Sequence, residues 1–259
     1  MVKHAKKGLI FILLTWVSVV TYGQQQKTVD FYQEIKKIDF STILNADSIL
    51  NEDREGGKEK LKRPEILGFI GSDFQRLHIH FISIIKNTTN PYQYFAYGKT
   101  MVKGNICSFQ GTITITEAKL YSEAEIPNIN QGFVTSELIF YEDQKQPSTG
   151  LIKGKLTTQF LIDKTGNLRY DAIMLIADGY SNNQFIGTWM SYKTGVSKKC
   201  NWGDYRIPES KLLDVGAGEF SVDQKYRKNG WENFNIAWNT YPETAEVRKA
   251  KEKEMGWWK

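Results

Sequence analysis

Two histidines, His78 and His80, stand one residue apart in the alternating run RLHIHFISI, residues 76–84. In extended backbone such residues project from one face with Cα atoms about 7 Å apart, a spacing that suits two ligands of one metal ion. Zinc needs three or four protein ligands, and the missing ones would have to be carboxylates that the sequence does not single out. Leu77, Ile79 and Phe81 occupy the opposite face, so alternation alone puts both imidazoles on the polar side. The expectation is two histidines on one side of a strand, with no metal and no cofactor.

The densest group of unusual residues lies in GTWMSYKTGVSKKCNWGDYRIP, 187–208. Trp189, Tyr192, Trp202, Tyr205 and Arg206 form the candidate ligand-binding set, interleaved with Lys193, Lys198 and Lys199. Aromatic planes beside cationic donors hold a sugar, an aromatic ring or an anionic lipid head. In the competing reading, Trp189 and Trp202 plug one end of a barrel and the neighbouring glycines permit tight turns.

Nucleophilic hydrolysis finds little support, because no G-x-S-x-G elbow is present and a nucleophile would have to borrow one of the same two histidines as its base. The GAG at 216–218 lacks the spacing of a phosphate or dinucleotide loop. Glycoside hydrolysis needs only two acids at a fixed separation, with Glu117, Glu137, Asp171, Asp204 and Glu219 as the candidates. The two cysteines, Cys107 and Cys200, allow one bridge, closing a loop of over ninety residues and worth about 4–5 kcal/mol on a chain-entropy model. A disulfide is the expectation, and two separate buried thiols are the alternative.

These residues belong to a chain that reads as exported. Lys3, Lys6 and Lys7 precede the apolar run GLIFILLTWVSVV, and Thr21 and Gly23 occupy the small-residue positions of a cleavage site. That pattern is a secretory signal peptide, removed to leave Gln24 first, and no other window is long and apolar enough to span a bilayer. Without residues 1–23 the basic side chains fall from 34 to 31 against 29 acidic ones, so the formal charge drops from +5 to +2. So even a balance argues against nucleic-acid binding, which needs a concentrated basic face.

The elements that must carry the candidates are mostly strands. Residues 24–63 read as a short amphipathic helix, with Phe31, Ile35 and Ile38 at helical spacing, followed by a mobile charged linker, NEDREGGKEKLKRP. Over 64–220, segments such as QRLHIHFISIIK, YQYFAYGKTMV, SFQGTITITEAKLY, FVTSELIFY, LIKGKLTTQFLI, LRYDAIMLIA, QFIGTWMSYK and CNWGDYRI alternate or are aromatic-rich, and DKTGN at 163–167 marks a tight hairpin turn. About eight strands joined by short turns predict a single antiparallel up-and-down β-barrel, with a β-sandwich as the alternative. Residues 221–259 form an aromatic and charged extension with a helix after Pro242, whose Trp257 and Trp258 either pack back on the barrel or protrude.

Gly187, Thr188 and Trp189 resemble the G-x-W element of lipocalin-type and avidin-type barrels, in which the Trp closes the barrel floor; there it lies near the first strand, here near the last. The phrases LGFIGSDFQRLHIHFISIIKN, NPYQYFAYGKT and KKCNWGDYRIP resemble uncharacterised exported proteins of gut-type Gram-negative bacteria, a likeness that implies export and no particular activity. The functional expectation is a periplasmic or secreted non-enzymatic binding protein, lipocalin-like, with an aromatic-lined pocket or mouth for a small molecule or glycan. The alternatives are a glycan hydrolase using paired carboxylates and a structural or protein-partner-binding module of the cell envelope, with the charged N-terminal linker and Trp-ended tail making the contacts.

Overall fold

Strands with one apolar face must bury it, and a sheet that curls until its two edges pair does so without leaving an edge. The computed structural model, which describes residues 26–52, 57–123 and 126–259, adopts this solution. An N-terminal section holds β1 (Thr28–Asp30), a 3-10 turn at Glu34–Lys37, α1 (Ser41–Leu44), β2 (Ser48–Glu52) and β3 (Lys58–Lys62). Then come β4 (Leu67–Ile70), β5 (Gln75–Lys86), β6 (Gln93–Val102), β7 (Asn105–Tyr121), β8 (Asn130–Glu142), β9 (Gly150–Ile162), β10 (Leu168–Tyr170), β11 (Asn182–Ser191) and β12 (Ser197–Asp204). Two helices, α2 (Glu232–Asn239) and α3 (Ala245–Met255), end the chain.

Eight of these strands close an antiparallel barrel in the order β4, β5, β6, β7, β8, β9, β11, β12 and back to β4. The closing seam pairs Cys200 with Ile70 and Trp202 with Gly68. The strands β1 and β10 are short additions on the ends of β7 and β9. The expected hairpin at 163–167 joins β9 to β10: Asp163 Oδ1 accepts from the Thr165 and Asn167 N–H groups, and Gly166 takes a φ of 85°.

LRYDAIMLIA departs from its strand expectation after Tyr170. The Ile173 N–H donates to Asp171 Oδ1, and successive turns bond Leu175 to Ala172 and Ala177 to Met174. Ile176 ends up 92 % exposed. Its place in the barrel is taken by Leu67–Ile70, a four-residue strand whose side chains are buried on both faces.

The N-terminal section also differs from expectation. The helix over Phe31–Ile38 shrinks to the single 3-10 turn, and the stretch read as a linker pairs as the hairpin β2–β3, with Ser48 opposite Lys62. Burial accounts for this order: Ile35, Phe40, Ile43, Leu44 and Ile49 join the barrel core, so the section plugs one barrel end. Phe40 sets its ring edge on Phe160 at 5.2 Å, and its N–H donates to the Tyr94 hydroxyl at 3.0 Å. Behind the plug, Asp204 accepts from Arg63 Nη2 at 2.8 Å, Tyr170 Oη at 2.9 Å and Asn183 Nδ2 at 2.7 Å. Arg63 also donates to the Leu44 carbonyl, tying the plug to the barrel.

The middle of the barrel is solid. Phe109 and Phe140 stack at 4.8 Å with Phe81 edge-on to both, and Phe185 stacks on Trp202 at 3.6 Å. Inward glycines make room for these rings: a Cβ on Gly187 would lie 2.4 Å from Phe185.

A second, smaller core lies outside the barrel, where Phe69 on β4 meets Leu213, Phe220, Trp231 and Phe234 of the C-terminal extension. The helix expected after Pro242 is α3, capped by Thr244. The leader predicted over residues 1–23 lies outside the described residues. Among those residues, no helix is long and apolar enough to cross a membrane.

Candidate functional site: the open barrel mouth

The end opposite the plug is not filled. Inward side chains there surround a cavity of about 330 Å³, at the small end of the roughly 300–1,000 Å³ typical of ligand pockets. Its walls are Ile70, Leu77, Val102 and Ile152, with Thr100, Cys107, Glu142, Trp189 and Cys200 adding polar or polarisable groups. Lys103 and Lys198 stand at the exposed rim.

Glu142 is the unusual member. It is 5 % exposed, and period-two alternation along β8 brings it inward after Val134, Ser136, Leu138 and Phe140. Thr100 Oγ1 donates to Oε1 at 2.5 Å, while the Gly150 N–H and Trp189 Nε1 both donate to Oε2 at 2.8 Å. Gly150 is required for that arrangement, because a Cβ there would lie 2.6 Å from the indole of Trp189. Burial pushes the Cys107 thiol up to about 11, with the Glu142 charge as the next contribution, and the same two causes raise Cys200.

The two cysteines are free, against the expectation of a bridge. Strands β7 and β12 lie four positions apart in either direction around the barrel. Cys107 and Cys200 therefore sit on opposite walls of the lumen, beyond the reach of roughly 7 Å between Cα atoms that a disulfide tolerates.

The candidate set from the sequence is divided among three places. Trp189 lines the mouth, and Tyr192 lies half-buried in the turn beyond it, its hydroxyl without a partner among the described residues. Trp202 is core. Tyr205 and Arg206 lie past the far end of β12, on a lateral groove between barrel and C-terminal helices. Burial pushes Tyr205 up to about 12, with Asp204 adding to it. Arg206 serves as a loop clamp, donating to Asp214 Oδ2 at 2.6 Å and to the carbonyls of Gly216, Ala217 and Gly218.

The opening histidines do share the outer face of β5, but solvent does not cover them. His80 stacks on Trp258 at 3.7 Å and His78 lies 5.5 Å from the ring of Trp257. The tail thus packs back on the wall, held by Arg76 to Glu254 at 3.2 Å and by Lys99 Nζ to the Trp258 carbonyl at 2.7 Å. Among the described residues, no three His, Cys, Asp or Glu side chains are placed to hold a metal ion.

The carboxylates named for glycan hydrolysis are occupied or exposed. Asp204 is locked behind the plug, Asp171 is buried against Gln131, Glu117 pairs with Lys119, and Glu137 and Glu219 are exposed. Glu142 was the acid that strand reading missed, although one more step of the β8 alternation would have placed it inside.

Fold and site together define an eight-stranded barrel with one plugged end and one open mouth built around a buried carboxylate. Comparisons with protein-family models, curated proteins and solved structures give no match to the chain, so the functional argument rests on the geometry.

Proposed function

We propose that the protein is an exported, non-enzymatic carrier or sensor that takes a small, mostly apolar molecule into the barrel mouth. The observation that carries this reading is the cavity itself: a lumen otherwise packed with aromatic rings leaves about 330 Å³ empty at one end. Close packing is the rule in protein interiors, so unfilled space with a few convergent polar groups suits a ligand. Trp189 supplies a flat face and Glu142 an orienting polar group. The basic, apolar and small-residue pattern of the first 23 residues supports export.

Uptake of the neutral fluorophore N-phenyl-1-naphthylamine tests the cavity. Emission should rise on mixing with the protein and should be lost in Cys107→Phe, whose ring fills the lumen. Circular dichroism establishes that the variant is folded. No enhancement, or enhancement that survives in a folded Cys107→Phe protein, would overturn the reading.

A further inference from the structure

We propose that the ligand of the mouth cavity is a monoamine, and that Glu142 is the counter-ion of its protonated nitrogen. This inference rests on the cavity-binding reading and adds the chemical class of the ligand. A carboxylate this deeply buried is costly unless paired or well hydrogen-bonded. Glu142 is hydrogen-bonded, but only by neutral donors: a hydroxyl, a backbone N–H and an indole. Among the described residues, no Lys, Arg or His lies within ion-pair distance of it.

The acceptor count leaves room for one more donor. Oε2 accepts two hydrogen bonds and Oε1 only one, while an ionised carboxyl offers about two acceptor positions on each oxygen. A charge-assisted bond from an ammonium to that position is roughly twice as strong as a neutral one. The low-dielectric surroundings that raise both thiols would also strengthen the attraction.

The rim narrows the class further. At the rim, Lys103 and Lys198 line the cavity beside Asp73, and Asp143 is close enough to act on Cys107, so a second positive charge at the outer end of the ligand would find no net attraction to offset its desolvation. Diamines are therefore disfavoured, and the body between nitrogen and rim should be apolar to match Leu77, Val102 and Ile152.

Calorimetry on the purified protein with phenethylamine, 2-phenylethanol, 3-phenylpropionate and cadaverine decides the matter. The expected order is phenethylamine first, at least about tenfold tighter than the alcohol, with the acid and the diamine weaker still. In Glu142→Gln, phenethylamine should fall to the level of the alcohol while the alcohol is unchanged. Equal binding of amine and alcohol, or an amine preference that survives Glu142→Gln, would overturn the amine assignment and leave the cavity reading standing. Should the variant not fold, the wild-type order decides alone. Failure of all four probes to bind would also overturn the amine assignment, with uptake of the fluorophore deciding whether the cavity reading falls with it.

Discussion

The indole of Trp189 reaches over Gly150 to Glu142, with Nε1 2.8 Å from Oε2, so a side chain on β11 meets one on β8 across the intervening strand β9. Only a residue without a Cβ leaves the path open. In Gly150→Ala the new methyl would lie 2.6 Å from the ring and 2.3 Å from the Met190 carbonyl. Overpacking of this kind costs about 1–3 kcal/mol. Urea unfolding should show that loss together with a shift in tryptophan emission, and a midpoint equal to wild type would argue that the strands spread without strain.

The plug depends on Asp204. Replacing it by asparagine keeps the shape but leaves the Arg63 guanidinium buried without its anion, and breaking a buried pair from one side costs about 3–5 kcal/mol. Asp204→Asn should lower the unfolding midpoint strongly and expose the section from Thr28 to Lys62 to limited proteolysis. Cleavage elsewhere in preference to that section would show that the pair does not hold the plug.

Acid should weaken the attachment of the C-terminal tail. Burial, aided by the Arg76 charge, holds His78 down to about 2, against an ordinary value near 6.5. Glu254 lies 3.9 Å from its Nδ1 but is already engaged by Arg76. Below pH 6.5 the unfolded chain takes up a proton that the folded chain refuses, so stability falls as pH drops, by ~1.4 kcal/mol per unit from this group. Unfolding midpoints measured from pH 7.5 to 5 should decline, and His78→Phe should flatten that decline; an unchanged slope in the variant would refute the assignment.

Both thiols should remain free even under oxidising conditions. Alkylation of the denatured, unreduced protein should add two labels, whereas the native protein should react slowly, because burial raises both groups. A single band shift between reduced and unreduced electrophoresis would mean that the opposite walls approach more closely than the strand order allows.

Much of the architecture was legible in the chain. Alternation in segments such as QRLHIHFISIIK and SFQGTITITEAKLY set which side chains face inward, because successive residues of a strand point to opposite sides. Turn chemistry at DKTGN located a hairpin. Local pattern failed in two places: after Tyr170 the chain leaves the sheet in turns begun by Asp171, which puts Ile176 in solvent, and a charged segment pairs as a hairpin because its neighbours seal the barrel end.

By itself, then, the sequence determined a mainly antiparallel β fold, barrel or sandwich, the inward direction of most strand faces and the shared side of His78 and His80. Only the tertiary structure decided what those faces meet. Period two states a direction but not which strands stand opposite across a lumen, so it could not separate Trp189 from Tyr205, part Cys107 from Cys200, or bring Glu142 and Trp189 together. Those relations follow from closure, since fixing the strand order around a ring sets every cross-lumen distance at once.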